Sequence, residues 1–338
     1  MIKFFRRIRH RLLSENKFGR YVIYGIGEIV LVVIGILIAL YINNWNEERK
    51  SIAETEHLLT QIHRELAFNI DQANDVSRFY RQRDSLVYNV LHKKVTYNDY
   101  IPNRLYSGLL QGIPLANLKD NAFRNLTNHE SQLTQQQDSL YDKLIDLYEK
   151  NKNRLDISDE NAIMRLQKHA QKLKDEKPWY YNYHVKNELT DEMIDYFLND
   201  PIYLNEVTHY GRTNIGGHNT VALNFRNKAL KLYNELSDYL NIPKDTLIST
   251  DLSRYEHIIG TYSDSLNIVE IIKEKERFIY IRKHKTDSVE VVRAILYPET
   301  KDNFTVGGSF GHLTFINNKV DRIVLSSGSN RLSLKRIN

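Results

Sequence analysis

The longest uninterrupted apolar run of the chain lies near its N-terminus. Residues 21–43 contain a single charged side chain, that of Glu28. A helix that crosses a bilayer needs about 20 mostly apolar residues, and this run supplies them. Aromatic residues stand at both of its ends, as they do at membrane interfaces: Tyr21 and Tyr24, then Tyr41 and Trp45. The pattern predicts a transmembrane helix over residues 21–43.

Beyond Trp45 the apolar positions change to helical spacing. They follow three-four steps that are close to a heptad repeat and predict one long helix: Leu59, Ile62, Leu66, Ile70, Ala73, Val76 and Tyr80. Two prolines and two glycines within residues 100–114 are expected to end it. With no Gly or Pro between Ala39 and Ile101, the helix is expected to continue directly from the span.

The pattern predicts further helices up to residue 250. One covers about residues 132–174, with a break at 156–160 where Ser158 is a candidate N-cap. Thr190 and the pair Asp200-Pro201 are typical helix starts. Residues 210–220 are interpreted as a turn, and a last helix is expected over about 221–240. Residues 44–250 are therefore predicted to form an α-helical bundle.

From residue 251 onward the pattern is that of strands. Short β-branched and aromatic runs alternate with turn residues, and Asn317-Asn318 is typical of a type I′ hairpin turn. Residues 251–338 are predicted to form an antiparallel β domain of about six to eight strands, as a closed or half-closed barrel. The predicted fold class is a membrane-anchored α+β protein.

The distribution of charged residues predicts how the chain is oriented in the membrane. The net charge of +5 is concentrated in residues 1–20, which carry seven basic side chains and one acidic side chain. The positive-inside rule then predicts a cytoplasmic basic tail and an extracytoplasmic, periplasmic bulk, in the inner membrane. A cleaved signal peptide is the alternative, although its basic region would be long and no A-x-A-like site follows Leu40. Because the basic excess is local, nucleic-acid binding is not expected.

Residues 1–50 resemble the N-terminal part of a known family of proteins. The basic tail, "GEIVLVVIGILIAL" and "INNWNEERK" together resemble the N-terminal signature of an uncharacterised family of single-pass membrane proteins from Bacteroidetes. That family has no assigned activity, so it implies location and architecture only. Residues 255–337 are similar to the small β domain appended to secreted serine hydrolases of the same bacteria. The catalytic domain of those hydrolases is not found in this sequence.

Motifs for catalysis or cofactor binding are weak throughout. Gly307–Gly311 fits G-x-S-x-G, but a strand-like run follows where that motif needs a helix, so a glycine-rich β-turn is expected. Ser14–Lys17 fits S-x-x-K inside the basic tail, where no pocket is expected. The 12 histidines show no zinc-ligand spacing, and His209 and His218 would approach each other only if the predicted turn joined them. We therefore expect no enzyme activity, no metal site and no cofactor.

Two sets of residues remain as contact candidates. Glu28, Gly35 and Ala39 share one face of the predicted span, where small residues allow close helix approach. They predict self-association or docking of a protein partner, with Glu28 protonated or paired; a position of Glu28 at the headgroup level is the alternative. The second set is an aromatic loop that could stack on a ligand, or else pack onto the bundle: Trp179, Tyr180, Tyr181 and Tyr183.

Three classes of function follow from these observations. The first is a binding or scaffold protein of the cell envelope, or a sensor-like accessory subunit that needs a partner for output because only about 20 residues would remain in the cytoplasm. The second is an envelope hydrolase, which only the resemblance of the β domain suggests. The third is a purely structural envelope protein.

Overall fold

The computed structural model describes residues 18–128, 133–244, 252–274, 277–298, 302–306, 312–316, 321–327 and 330–337. Several sequence predictions lie outside these residues: the basic tail up to residue 17 with Ser14–Lys17, the turns at 307–311 and 317–318, and the boundary at 250/251. Of the described residues, those within 58–128 and 135–337 belong to one compact unit. Those within 18–57 and 133–134 belong to the other.

Helix α1 is the longest element and covers Phe18–Leu91. In the part of the chain that the structure describes, it is the one helix long and apolar enough to cross a membrane, and none of its most apolar window is buried. The predicted seam is confirmed further along the same helix. All seven of its residues, from Leu59 to Tyr80, are at most 2% exposed and belong to the core of the helical region.

Helix α1 ends about nine residues before the predicted break. Lys93 adopts a left-handed conformation with φ of 51°, and the Lys94 amide donates to the Asn89 carbonyl over 2.8 Å. This six-to-one hydrogen bond is the usual closure of a helix C-terminus, where glycine is the common residue. Because lysine occupies that position here, the sequence carries no glycine signal for the end of the helix.

The helices after α1 share one hydrophobic core with its buried seam. They are α2 (Tyr97–Tyr100), α3 (Arg104–Ser107), α4 (Asn121–Thr127), α5 (Gln135–Ile145), α6 (Asn153–Glu176), α7 (Tyr180–Val185), α8 (Asp191–Asn199), α9 (Pro201–Tyr210) and α10 (Asn219–Leu240). A first π-helical segment, Asp146–Lys152, joins α5 to α6, and a second, Gly211–His218, joins α9 to α10. The predicted helical region is therefore confirmed.

Two local predictions are wrong and two are confirmed. Ser158 lies inside α6 and caps no helix, and the predicted turn at 210–220 is instead the second π-helical segment, so the chain is helical from Pro201 to Leu240. Thr190 accepts a hydrogen bond from the Met193 amide at the start of α8. Asp200 accepts two amide hydrogen bonds at the start of α9, ahead of Pro201.

The C-terminal region is a closed antiparallel barrel. Its strands are β1 (Gly260–Ser263), β2 (Asn267–Glu274), β3 (Arg277–His284), β4 (Glu290–Pro298), β5 (Asn303–Val306), β6 (His312–Ile316), β7 (Arg322–Ser327) and β8 (Asn330–Arg336). Each strand pairs with the next, and β1 closes on β8 through Tyr262↔Arg336 and Ser263↔Lys335. A 3₁₀ helix, Leu252–Ile258, precedes β1, so the part of the chain predicted as a β domain begins, within the described residues, with a short helix.

Side chains fill the barrel interior, as expected for eight strands. Fully buried aromatic rings are packed edge to face, with Phe304 and Phe315 at 5.2 Å between centroids and Tyr262 and Phe315 at 6.0 Å. The Tyr262 hydroxyl donates to the Ile258 carbonyl over 2.8 Å. The 3₁₀ helix is thereby fastened to the barrel core.

Buried polar groups join the helical region to the barrel within one unit. Asn219 of α10 and His312 of β6 are hydrogen-bonded over 2.6 Å, and Arg226 donates to the Pro298 carbonyl over 3.0 Å. Asp84 of α1 is 4% exposed and faces Arg331 of β8 at 3.7 Å. Burial raises the pKa of Asp84 to about 6, against hydrogen bonding from Ser326 and the charges of Arg331 and His312. The Asp84 carboxyl is therefore ionised, and can form an ion pair with Arg331, only above mildly acidic pH.

Candidate functional site

The three residues predicted for the transmembrane face lie in the exposed part of α1. Gly35 and Ala39 are exposed, and a Cβ added at Gly35 would meet no other atom within 4 Å. Glu28 is half-buried. Near the end of the predicted span, the Arg49 guanidinium lies over the Trp45 ring, 5.5 Å from its centroid. Docking at this face stays a prediction.

The four aromatic residues of the predicted ligand surface do not share one environment. Trp179 is buried, 5.5 Å from Tyr196 and 6.0 Å from Phe197 between ring centroids. The Tyr183 hydroxyl donates to Ser107 Oγ over 3.1 Å, and Tyr180 is half-buried on the same core. Tyr181 is 60% exposed. Packing onto the bundle thus accounts for most of this aromatic surface, and ligand contact stays a prediction.

A cleft between α6 and α9 brings together side chains that the sequence analysis did not select. We call it the cationic cleft. Helix α6 lines it with Arg165, Lys168, His169 and Lys172, and the α9 side lines it with Glu206, His209, Tyr210 and Asn214. Its volume is about 320 Å³. The residues of α6 follow i, i+3, i+4, i+7 spacing, so a single face of that helix is basic.

One carboxylate neutralises only part of this charge. Lys172 Nζ lies 2.7 Å from Glu206 Oε1, and His169 Nδ1 is hydrogen-bonded to the other oxygen of the same carboxylate. Burial acts to raise the pKa of Glu206, but hydrogen bonds from His169 and Lys172 outweigh it and hold the pKa below its usual value. Arg165 and Lys168 form no ion pair with the described residues, so the cleft keeps an excess of positive charge.

Arg165 is held in place by Asn214, next to a buried hydrogen-bond chain. Its Nε donates to Asn214 Oδ1 over 3.0 Å, and the same oxygen accepts from Thr213 Oγ1 over 3.0 Å. Tyr80 and His218 Nδ1 are 2.6 Å apart, and His218 Nε2 lies 2.6 Å from Asp159 Oδ1. Burial lowers the pKa of the Arg165 guanidinium from its usual value. Tyr80, His218 and Asp159 link α1, the second π-helical segment and α6.

The hydrogen-bond chain of Tyr80, His218 and Asp159 resembles a proton relay. Burial of its first two residues indicates a structural role instead. Tyr80 is fully buried and His218 is 1% exposed. An ionised carboxylate only accepts hydrogen bonds, so Nε2–H donates to Asp159 and Nδ1 accepts from the Tyr80 hydroxyl. Burial raises the pKa of Tyr80 far above its usual value, which keeps this hydroxyl protonated. Tyr80 and His218 are buried, so a role in linking three helical segments fits these groups better than proton transfer to a substrate.

Tyr210 differs from its polar neighbours in the cleft. It is 7% exposed, and among the residues that the structure describes its hydroxyl has no hydrogen-bond partner. Burial raises the pKa of Tyr210, so the hydroxyl remains protonated at neutral pH and can donate. An unsatisfied buried hydroxyl costs free energy, and a ligand in the cleft could satisfy it.

Few features of the sequence point to this cleft. The basic residues of α6 fit a solvated helix face, and His169 lacked a metal-ligand partner at suitable spacing. The α9 residues continue into the segment that had been interpreted as a turn, so no common helix face was expected there. His209 and His218, considered together for metal binding, occupy one continuous helical stretch, where His218 is buried and His209 is exposed.

Chemistry at the other sequence motifs gains no support from the described residues. Among them, no group of three or more His, Asp or Glu side chains is arranged to hold a metal ion. Residues 307–311 lie outside the description, but the strands on either side, β5 and β6, are antiparallel partners. A strand therefore follows the glycine-rich segment, whereas a nucleophile elbow requires a helix there.

Comparison with known proteins finds a family match for one part of the chain. Residues 28–108 match the model of a family of unknown function, DUF6090. The match fits an uncharacterised domain family and covers most of α1, including Glu28, Gly35 and Ala39. No curated protein and no solved structure matches the chain. The resemblance to Bacteroidetes proteins and that of the barrel to a hydrolase-associated β domain stay predictions.

Proposed function

We propose that the chain is a single-pass membrane protein that acts as a sensor-like binding subunit of the cell envelope. Residues 21–43 would cross the inner membrane, with the N-terminus in the cytoplasm and the helical and barrel regions in the periplasm. The observation that carries this proposal is the apolar surface of α1, which is exposed on all sides from Val22 to Ile42. Such a surface is stable in lipid and costly in water.

The binding role rests on the folded unit. It contains a cleft with charged and apolar walls, and clefts of this kind are typical of small-molecule sites. Support for catalysis is weaker, because Tyr80 and His218, the two members of the chain that could transfer a proton, are buried. We therefore favour binding over hydrolysis, and expect neither a metal nor a cofactor.

Membrane topology can be tested with single cysteines because the chain has none of its own. Lys3→Cys labels the basic tail, and Lys174→Cys labels an exposed position of α6. In spheroplasts, a membrane-impermeant maleimide should modify Lys174→Cys, and should reach Lys3→Cys only after permeabilisation. Labelling in the reverse order would contradict the orientation. Release of the protein by alkaline carbonate, or a mature chain that begins after Leu40, would contradict the anchor.

We also propose that the face formed by Glu28, Gly35 and Ala39 docks a second helix, from another copy or from a partner. Gly35-x-x-x-Ala39 has the spacing that permits close backbone approach. An Ala39→Cys variant in membranes should form a disulfide-linked dimer, and the additional change Gly35→Ile or Glu28→Leu should reduce its yield. Leu37→Ile, two residues from both Gly35 and Ala39 and therefore on the opposite face of the helix, serves as the control. Equal yields in all variants would contradict self-association.

A further inference from the structure

We propose that the cationic cleft binds a small organic carboxylate that carries an apolar group. This inference rests on the proposed binding function and adds the chemical class of the ligand. It depends on three features of the cleft: a positive charge that is positioned but unneutralised, a buried hydroxyl without a partner, and an apolar wall beside both.

The charged head of the ligand would lie against Arg165. Asn214 occupies only Nε of this guanidinium, so the two terminal nitrogens remain available to a carboxylate, which matches their planar geometry. Asn214 is itself buried and its Oδ1 also accepts from Thr213 Oγ1 over 3.0 Å, which limits the movement of Arg165 before binding. Lys168 adds a second cation on the same helix face. Lys172 is already paired with Glu206, so it contributes less to the ligand.

The Tyr210 hydroxyl supplies a neutral donor. It lines the cleft, is buried, and has no partner among the described residues. The hydroxyl oxygen has almost no accessible surface, so a carboxylate, which accepts hydrogen bonds only, would bind this hydroxyl and the guanidinium together once the ring turns toward the cleft. This combination favours an oxyanion over a cationic or purely apolar ligand.

The apolar part of the ligand would contact the remaining wall of the cleft. Leu110 is buried, Ile113 and Leu166 are half-buried, and all three line the same cavity. A volume of about 320 Å³ exceeds the space of a lone inorganic anion and is at the lower end for organic ligands. A free inorganic anion would leave this apolar wall uncovered, so we expect it to bind more weakly.

The test uses the full chain in a neutral maltoside detergent, with binding measured by calorimetry. Two carboxylates, 3-phenylpropionate and octanoate, are each compared with their uncharged amide, and inorganic phosphate is a third probe. At least one carboxylate should bind about tenfold more tightly than its amide, as expected for a charge-assisted hydrogen bond. Arg165→Met should remove this preference, whereas Lys174→Met, on an exposed part of the same helix, should leave it unchanged.

Tyr210→Phe separates a ligand contact from a structural role. Loss of one neutral hydrogen bond should weaken carboxylate binding about three- to tenfold. Because the hydroxyl has no protein partner, the thermal midpoint of the free protein should not fall. A lower midpoint would assign the hydroxyl to folding and overturn its role as a ligand donor.

Other outcomes overturn the proposal as a whole. These are equal affinity for carboxylate and amide, phosphate binding as tight as the carboxylates, or carboxylate binding that persists in Arg165→Met. Circular dichroism verifies that each variant is folded. Carbonate extraction of the same variants reports membrane insertion separately, so failure of ligand binding is distinguishable from failure of the membrane anchor.

Discussion

The two halves of helix α1 differ in how their apolar side chains are arranged and in whether these side chains are buried. From Val22 to Ile42 nearly every side chain is apolar, and these side chains are exposed on all faces. From Leu59 to Tyr80 the apolar residues form a single stripe, which is buried, while charged residues occupy the other faces. A stripe is satisfied by one protein core, but a helix that is apolar all round needs an apolar medium. The same backbone geometry is thus adapted to two environments.

The largest expected effect tests the buried stripe. Leu66→Ala removes a side chain with no exposure and should lower the free energy of unfolding by about 2–5 kcal/mol, because it leaves a cavity in the core. Leu37→Ala, at a position 59% exposed in the apolar half, should change it by less than about 0.5 kcal/mol. Urea denaturation in neutral detergent measures both. Equal losses would show that Leu37 is also packed against protein.

The next effect tests the apolar half. Val33→Lys places a charge near the middle of the predicted span, where insertion costs about 2.5–3.5 kcal/mol. The fraction of chains integrated into membranes should therefore fall, as measured by carbonate extraction after synthesis in the presence of membranes. Asn44→Lys, just outside the predicted span, is the matched control. If Val33→Lys is integrated as well as Asn44→Lys, residues 21–43 do not cross the bilayer.

A third prediction concerns the charged residue that α1 buries against the barrel. The folded-state pKa of Asp84 is about 6, above its ordinary value of 3.8. The folded protein therefore binds this proton more tightly than the unfolded chain does. The resulting stabilisation is complete below pH 3.8 and is lost as the pH rises through about 6. Its upper limit is about 3 kcal/mol.

Asp84→Asn isolates this contribution. The difference in unfolding free energy between Asp84→Asn and the natural chain should increase in favour of the variant between pH 4 and pH 7. His312 and Arg331, which face the same carboxyl, are retained in both proteins, so their own effects largely cancel. Chemical denaturation at a series of pH values measures the difference. A difference independent of pH would show that Asp84 does not titrate in this range.

The smallest effect concerns the end of α1. Lys93 holds a left-handed conformation that costs a residue with a Cβ about 1 kcal/mol and costs glycine little. Lys93→Gly should therefore raise the free energy of unfolding by up to about 1 kcal/mol. Lys94→Gly, one residue later, is the control and should not stabilise. A loss of stability in Lys93→Gly would indicate that the lysine side chain contributes to packing.

How much the sequence revealed depends on how local the signal was. The stripe from Leu59 to Tyr80, the cap at Thr190 and the Asp200-Pro201 start could be predicted because neighbouring residues alone produce them. The end of α1 was misplaced because Lys93 occupies a site that usually holds glycine. The segment Gly211–His218 was misjudged because its glycines are typical of turns, although tertiary packing keeps it helical. Packing against neighbours overrode local propensity there.

The candidate site shows the same limit more strongly. By sequence alone, Arg165 and Lys168 fit an ordinary solvated helix face. The cleft exists only because α9 packs beside that face. Tyr210 is a candidate ligand residue because its hydroxyl is buried without a partner among the described residues. No sequence pattern predicts such a feature. The residues that the sequence did select, Glu28, Gly35 and Ala39, stood out because a charge and small side chains are unusual within an apolar run.

Closure of the barrel restricts how a partner could engage it. In the strands that the structure describes, β1 pairs with β8, so each strand has a neighbour on both sides and no strand has its whole edge open to an added strand. Recognition of an extended peptide by β-augmentation needs such an edge. A partner of this domain must therefore be recognised through side chains on its outer surface or through its loops. The domain is also protected from the edge-to-edge aggregation that open sheets risk.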